Sequence, residues 1–267
     1  MDLTSRIRLH TGSEMPVLGL GTWQLTDNTA DVIATALDLG YPMIDTSGDY
    51  GTQPGIGDGL RKKSAQRSDF YLATKVEETE NAYEATKKNL GELGLDHADL
   101  MLIHRPPSTG AGEELWRGLI RAREEGLTRD IGVSNYSAEL IDRLIEATGE
   151  VPALNQVEWS PFGHSMELKR HHDDKGIIIQ AYSPLTRTRR LGDETLAEIG
   201  RAHEKSPAQV LIRWNLQRGT VPIPKANQRQ HLEENIQVFD FTLSEDDMAA
   251  LDQLNEHYSS LGRLPYL

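Results

Sequence analysis

The sequence contains no cysteine among its 267 residues. This absence excludes disulfide bonds, thiolate metal sites and thiol nucleophiles, and it fits a cytoplasmic protein, which is the location we expect. Long hydrophobic runs are also missing, since no apolar stretch approaches the roughly 18 residues that span a bilayer. The first six residues, MDLTSR, lack the apolar segment of a secretory signal. We therefore expect neither membrane insertion nor export.

Positive charge is scarce in the chain. Lysine and arginine number 28 against 41 aspartates and glutamates, which gives a net charge of −13. Nucleic acids are bound by neutralising their phosphates with basic side chains, so this balance argues against a nucleic-acid partner. The hydrophobic fraction of 37% and charged fraction of 26% are those of an ordinary folded protein. Any anionic ligand would need a local basic cluster.

Eight short apolar runs recur along the chain, separated by stretches with helical spacing. The runs cover residues 17–22, 43–46, 70–76, 100–104, 131–134, 153–158, 177–181 and 221–224. Apolar runs without alternation are typical of parallel strands that are covered on both faces. Before the first run, residues 6–9 and 15–17 flank a turn at Gly12, which predicts a β-hairpin. Ser206 followed by Pro207 predicts the start of a helix.

Eight strand–helix repeats in about 250 residues are typical of a TIM barrel. We predict one domain over residues 1–267, a (β/α)₈ barrel with an N-terminal β-hairpin and one or two extra helices. The alternative is an open, doubly wound sheet, which usually carries a glycine-rich phosphate loop directly after a strand. Residues 55–59 (GIGDG) do not follow a strand directly and are expected to form a turn, and residues 19–21 lack the third glycine.

Polar side chains stand where three of the apolar runs end. Asp45, Lys75 and His104 close the second, third and fourth runs, and Tyr50 follows five residues after Asp45. In a barrel of parallel strands these ends converge on one mouth. A phenol, an amine, a carboxylate and an imidazole at one mouth are the parts of a proton-delivery site. The alternative is a structural ion pair beside a core histidine.

Seven short motifs lie at these strand ends: IDT (44–46) with YG (50–51), TK (74–75), LIH (102–104), IGVSN (131–135), NQVE (155–158), AYSPL (181–185) and IPK (223–225). In order and spacing they resemble the aldo-keto reductases over nearly the whole chain. Within that family the chain is most similar to the short bacterial branch that includes 2,5-diketo-gluconate and methylglyoxal reductases. The resemblance implies a monomer that reduces small aldehydes and ketones, including keto-sugar acids and 2-oxoaldehydes, with NADPH.

The four residues of the proton-delivery site receive separate roles. Carbonyl reduction by a hydride donor creates an alkoxide, which must receive a proton. A free tyrosine, with a pKa of about 10, is a slow acid at neutral pH, and a nearby ammonium lowers that pKa. We therefore assign Tyr50 as proton donor, Lys75 as the group that tunes it, and Asp45 as the lysine's partner. His104 is assigned to hold the substrate oxygen.

By resemblance, the remaining strand ends bind the cofactor. Ser134, Asn135 and Gln156 are assigned to the nicotinamide carboxamide, a group that needs both donors and acceptors. Tyr182 is assigned to stack on the nicotinamide ring, with a core tyrosine as the alternative. The other assigned positions are Thr22 and Trp23 after the first run, Ser183 and Leu185 on the pyrophosphate path, Lys225 at the 2′-phosphate, and Glu234 and Asn235 at adenine.

The 2′-phosphate site departs from the family pattern. The usual small hydroxyl residue after the lysine is Ala226, and the usual arginine six residues after it is His231. Histidine lacks the fork and the permanent charge of arginine. Arg229 offers partial compensation two residues out of register. We expect NADPH to be preferred over NADH by a reduced margin, with NADH as the second candidate cofactor.

The substrate pocket departs too. Glu77 and Arg105 stand where the family usually carries two tryptophans, and Trp23 is the better candidate for an apolar wall. Opposite charges at these positions suggest a polar pocket with a salt bridge across it, in which Arg105 favours substrates with a carboxylate or several hydroxyls. In the alternative, both side chains point to solvent, because exposed pairs are common and weak.

The sequence leaves two other functions and one metal motif open as alternatives. A Schiff-base aldolase could use Lys75 as its nucleophile, although Asp45 should keep that lysine protonated. A non-catalytic cofactor sensor on the same barrel is the other alternative. Residues 171–174 (HHDD) could suggest a metal site, but adjacent helical residues point in different directions. We expect a solvated helix face there and no metal.

Overall fold

The computed structural model describes residues 1–267, which form one eight-stranded sheet and a separate hairpin. In the hairpin, β1 (Arg6–Arg8) pairs antiparallel with β2 (Glu14–Pro16). The sheet strands follow in chain order and are parallel. They are β3 (Leu20–Gly21), β4 (Met43–Asp45), β5 (Tyr71–Val76), β6 (Ala98–Ile103), β7 (Thr128–Ser134), β8 (Leu154–Glu158), β9 (Ile178–Tyr182) and β10 (Val221–Pro222).

Backbone hydrogen bonds between residues in or next to the first and last sheet strands close the barrel. The amides of Gly19 and Gly21 donate to the carbonyls of Pro222 and Pro224, at 3.1 and 3.3 Å. Gly21 is needed for this approach, because a Cβ there would lie 2.7 Å from the carbonyl oxygen of Ile223. The predicted barrel is confirmed, and the open-sheet alternative is wrong.

Ten α-helices surround the strands. Six connect consecutive strands, two lie between β9 and β10, and two follow β10, so the barrel carries two helices beyond one per strand. They are α1 (Thr29–Asp38), α2 (Gln53–Lys62), α3 (Ala82–Leu93), α4 (Glu113–Glu124), α5 (Ala138–Thr148), α6 (Met166–Lys175), α7 (Glu194–His203), α8 (Pro207–Gln217), α9 (Arg229–Ile236) and α10 (Glu245–Asp252). None of them has both the length and the apolarity to cross a membrane.

The sequence signals for helix ends and turns have mixed outcomes. Ser206 caps α8 as predicted, accepting a hydrogen bond from the amide of Gln209, with Pro207 in the first turn. The turn expected at residues 55–59 is wrong, because that segment lies inside α2. Its glycines let α2 approach α1 closely, since a Cβ at residue 59 would lie 2.8 Å from the carbonyl of Ala30.

The hairpin covers the N-terminal end of the barrel. Leu9 and Met15, at its turn and second strand, are buried in one apolar cluster with Met43, Leu100 and Leu102 from the sheet strands. Burial of these side chains removes apolar area from water and favours the closed end. The opposite end, where the strands finish, is left to hold polar side chains.

One histidine of the 171–174 segment faces the protein interior. His172 is fully buried on α6, and its Nε2 accepts from the amide nitrogen of Asn155 at 3.0 Å. The same amide donates to the carbonyl of Tyr136 at 2.9 Å, which fixes its orientation. The solvated face expected for this segment is therefore wrong for His172, whereas His171 contacts the exposed Asp142. Burial, reinforced by the neighbouring His171, lowers the pKa of His172 to about 3.

His172 should make the fold sensitive to mild acid. In the unfolded chain His172 takes up a proton at its ordinary pKa of 6.5, whereas in the folded chain it does so only at about 3. Protonation therefore favours the unfolded chain, and the stability of the fold decreases as the pH falls between these two values. Between about pH 7 and pH 5 the loss from this residue is roughly 2 kcal/mol. His172→Gln should shrink the measured pH dependence of the free energy of unfolding, from urea titrations, by that amount.

His10→Gln is the matched control for this prediction. His10 is exposed and its ring lies within hydrogen-bonding distance of the carbonyl of Gly176. Because this ring is not buried, its replacement should leave the acid sensitivity as it is in the unmodified protein. If His172→Gln retained the full loss of stability between the two pH values, the assignment to His172 would be wrong.

Candidate active site

A buried ion pair lies at the C-terminal mouth of the barrel. Lys75, near the end of β5, donates from Nζ to Oδ1 of Asp45 and to the carbonyl of Thr46, both at 2.7 Å. The side chains of Lys75 and Asp45 are 0% and 2% exposed, so the pair is shielded from water. Burial lowers the pKa of Lys75, but Asp45 and Tyr50 more than offset this and the pKa stays above its ordinary value. Lys75 is therefore charged at neutral pH.

Tyr50 lies beside this ammonium. It ends a short 3₁₀ turn (Gly48–Tyr50) after β4, and Nζ of Lys75 is 5.1 Å from the centre of its ring. Burial raises the pKa of Tyr50, and the opposing effect of Lys75 is smaller, so the net direction is upward. The expected lowering by Lys75 is thus present but outweighed, and Tyr50 keeps its proton at neutral pH.

His104 follows β6 and packs against Tyr50, with ring centroids 5.6 Å apart and planes at 71°. Its Nδ1 lies 2.7 Å from Oε1 of Glu77 and 3.3 Å from Oγ of Ser47. The imidazole is buried, at 7% exposure. The structure therefore brings Asp45, Tyr50, Lys75 and His104 to one place.

Glu77 and Arg105 form the salt bridge that the sequence suggests, with Nη1 of Arg105 3.0 Å from Oε2 of Glu77. The alternative in which both point to solvent is wrong for Glu77, whose side chain is 15% exposed, whereas that of Arg105 is 48% exposed. Arg105 also lies 3.4 Å from Asp49 and 3.6 Å from Glu78. Three carboxylates thus surround one guanidinium.

The residues assigned to the nicotinamide carboxamide form one network. Nε2 of Gln156 donates to Oδ2 of Asp45 and to Gln180, both at 2.7 Å. Asn135, which adopts a left-handed φ of 67°, donates to the carbonyl of His104 at 3.1 Å and accepts from the hydroxyl of Tyr182 at 2.8 Å. Ser134 donates to the carbonyl of Gln156 at 2.8 Å. The network joins the ion pair to the loop that carries His104.

The loop after β9 faces the loop after β3. Trp23 is 37% exposed, and the guanidinium of Arg187 lies 4.0 Å from the centre of its ring. Thr22 is buried and donates to the carbonyl of Asp45 at 2.9 Å. In the β9 loop, Ser183 adopts a φ of 47° and Leu185 packs against the apolar core. These four assigned positions therefore lie along the rim between β3, β4 and β9.

Arg187 was not found from the sequence. It and its neighbours Thr186 and Thr188 have positive φ values of 50°, 50° and 65°, a conformation that costs non-glycine residues about 1 kcal/mol or more each. Nε of Arg187 is buried and has no hydrogen-bond partner in the protein. No glycine marks this segment, so local composition carried no signal. Ser47 and Asp49 were also missed, although their position after the same strand end as Asp45 could have indicated them.

The segment after β10 holds the positions assigned to the far end of the cofactor. Lys225 is exposed and has no carboxylate within salt-bridge distance. Arg229 pairs with Glu233 at 2.7 Å, and His231 lies 3.3 Å from Glu234. Asn235 is buried, at 2% exposure. Lys225 is thus the cation of this segment that carries no carboxylate partner.

Comparison with known proteins identifies the family. The model of the Aldo/keto reductase family matches residues 17–256. An aldo-keto reductase of Mycobacterium sp. (strain JLS) is 40% identical, over 97% of this chain and 96% of its own length. A solved aldo/keto reductase from Brucella melitensis is 37% identical with a TM-score of 0.89, covering 94% of this chain and 99% of its own. A Bombyx mori aldo-keto reductase solved in complex with NADP is 31% identical with a TM-score of 0.90, covering 97% and 95%. The chain belongs to the aldo/keto reductase family.

Proposed function

We propose that this protein reduces small aldehydes and ketones to alcohols with NADPH, with Tyr50 as the proton donor. The observation that carries the proposal is the buried Lys75–Asp45 pair beside the phenol, with His104 packed against the same ring. Membership of the family supports oxidoreductase activity. The NADP complex of the Bombyx mori relative supports the choice of cofactor.

The proposed proton transfer follows from the charges around Tyr50. When bound, the reduced nicotinamide would supply the hydride to the carbonyl carbon. Tyr50, whose raised pKa keeps it protonated, donates its hydrogen to the oxygen as negative charge develops there. The Lys75 ammonium stabilises the phenolate left behind, and Asp45 keeps that ammonium charged. His104 orients the substrate oxygen against the phenol.

The residues present suit a dinucleotide cofactor. Ser134, Asn135 and Gln156 would hold the carboxamide, since the side-chain oxygen of Gln156 accepts no hydrogen bond within the protein. The orphaned Nε of Arg187 is a buried donor suited to a phosphate oxygen. The remaining proposed contacts are Tyr182 at the ring, Thr22, Trp23, Ser183 and Leu185 near the pyrophosphate, and Lys225, Arg229, His231, Glu234 and Asn235 at the adenosine end.

The charges at the mouth favour neutral substrates. The mouth carries three carboxylates, Asp49, Glu77 and Glu78, against the single guanidinium of Arg105. The terminal nitrogens of Arg105 already contact these carboxylates. A substrate carboxylate would therefore meet net negative charge, and Arg105 is not free to bind it. Within the bacterial branch that the chain resembles, we favour 2-oxoaldehydes and hydroxylated aldehydes over keto-sugar acids.

The rival functions are less well supported. A Schiff-base aldolase needs a neutral amine at Lys75, yet this lysine is fully buried against Asp45 and its pKa is raised. A non-catalytic cofactor sensor would not need the phenol of Tyr50 packed between an ammonium and an imidazole. Catalytic turnover decides between the sensor and the reductase.

We also propose that residues 1–267 act as one domain, because β3 and β10 must meet to close the barrel.

Tyr50→Phe should lower kcat for aldehyde reduction by about 10²–10⁴-fold, because the variant keeps the ring but lacks the transferable proton. Loss of NADPH absorbance with methylglyoxal as substrate measures the rate, and quenching of protein fluorescence measures cofactor affinity, which should change less than about threefold. Tyr83→Phe, at a half-buried position on α3 whose hydroxyl donates to Glu125, is the matched control and should keep normal turnover. Turnover retained in Tyr50→Phe would show that the donor is misassigned.

His231→Arg should tighten NADPH by about fivefold to tenfold and leave NADH nearly unchanged, because arginine adds a permanent charge that only a 2′-phosphate would use. Kd values for both cofactors from fluorescence titration test this. Gln230→Arg adds the same charge at the adjacent exposed position and should increase the preference for NADPH over NADH by less than His231→Arg does. Equal tightening of NADPH and NADH by His231→Arg would remove this residue from the 2′-phosphate site.

A further inference from the structure

Glu77 reaches the imidazole of His104 from the loop after β5. Its Oε1 lies 2.7 Å from Nδ1, which is hydrogen-bonding distance. Burial raises the pKa of Glu77, but hydrogen bonds and charges from His104, Ser47 and Arg105 more than offset this, and the net pKa is lowered. An ionised carboxylate only accepts hydrogen bonds, so Nδ1 of His104 carries the hydrogen of this contact.

This contact restricts what the other ring nitrogen can do. A neutral imidazole has one N–H, and when that hydrogen is on Nδ1, Nε2 presents a lone pair. A lone pair cannot donate to a carbonyl oxygen on which negative charge is developing. Only the imidazolium donates to Glu77 and to a substrate oxygen at the same time.

The groups around His104 fix this arrangement. Asp49 lies 3.5 Å from Nδ1, so a second carboxylate faces the same nitrogen. Ser47 donates to the same oxygen of Glu77 at 3.1 Å. The other oxygen of Glu77 is held by Arg105 at 3.0 Å, so both oxygens of this carboxylate are fixed. The ring of Tyr50 packs against His104 at a centroid distance of 5.6 Å, and its centre lies 5.1 Å from Nζ of Lys75, so the charge of the Lys75–Asp45 pair also lies near His104.

We propose that Glu77 is a positioning residue that keeps Nδ1 of His104 protonated, so that His104 donates to the substrate oxygen only as an imidazolium. The proposal rests on the function proposed above. Glu77 occupies the position at which the resemblance places an aromatic side chain of the pocket wall. In this chain the position therefore carries a carboxylate, which acts on the substrate through His104. The consequence is an upper pH limit on reduction that an uncharged residue at position 77 would shift to lower pH.

The tautomer of His104 can be observed without any turnover. In the full chain labelled with ¹⁵N-histidine and loaded with NADP⁺, two-bond ¹H–¹⁵N spectra distinguish the two nitrogens, and His104→Gln identifies the signal. We expect the neutral ring at high pH to carry its hydrogen on Nδ1. A neutral ring protonated on Nε2 would overturn the proposal, whether or not the protein reduces carbonyls.

The rate profile gives the second readout. The upper pH limit of kcat/KM for methylglyoxal should fall by about one pH unit in Glu77→Gln, because loss of the anion makes a positive ring less favourable. Glu77→Asp keeps the negative charge, so its upper pH limit should lie close to that of the unmodified protein. Glu78→Gln is the matched control, since Glu78 touches Arg105 at 3.6 Å and not His104, and its upper limit should stay in place.

A merely structural role for Glu77 predicts a different result. Glu77→Gln would then change kcat/KM by the same factor at every pH and keep the upper limit of the unmodified protein, which would overturn the proposal. If no protein in the series reduced any carbonyl, the proposed function would fail, while the NMR result would still decide the tautomer.

Discussion

The buried Lys75–Asp45 pair is the interaction on which the rest of the mouth depends. A charged amine removed from water is costly unless its hydrogens and its charge are satisfied. Here Asp45 and the carbonyl of Thr46 satisfy it, and Gln156 donates to the second oxygen of Asp45. Gln156 belongs to β8, four strands away in the sheet order. The pair is therefore satisfied only when the barrel is closed, so the fold and the site stabilise each other.

The strand register explains how this pair forms. Asp45 lies opposite Ala73 in the β4–β5 pairing, and Lys75 is two residues further along β5. Side chains two apart share a face of the sheet, so both point into the barrel at its C-terminal end. The loop that follows Asp45 carries Tyr50, whose ring centre lies 5.1 Å from Nζ of Lys75. The position of the phenol is thus a consequence of where the ion pair is buried.

The same reasoning shows which features could be predicted from the sequence. Asp45, Lys75 and His104 were found because parallel strands end at one mouth and each residue closes an apolar run. No such periodic signal gives the direction of a loop side chain. Only the structure therefore shows that Glu77 contacts His104 and that Arg187 contacts Trp23. His172 was misjudged because α6 is polar on most of its surface, and a single buried imidazole leaves no apolar stripe in the sequence.

Charge is distributed unevenly around the mouth, so its two sides favour different ligands. The side that holds Glu77, Glu78 and Asp49 carries more negative than positive charge, whereas Arg187 and Lys225 have no carboxylate partners on the rim formed by the β9 and β10 loops. In a chain whose net charge is −13, an anionic dinucleotide is attracted only where the local field is positive. The acidic side repels its phosphates, and under the proposed function that side binds the neutral carbonyl substrate. Glu77 therefore affects more than the shape of the pocket, because under our proposals the same carboxylate that repels phosphate also holds the proton on Nδ1 of His104.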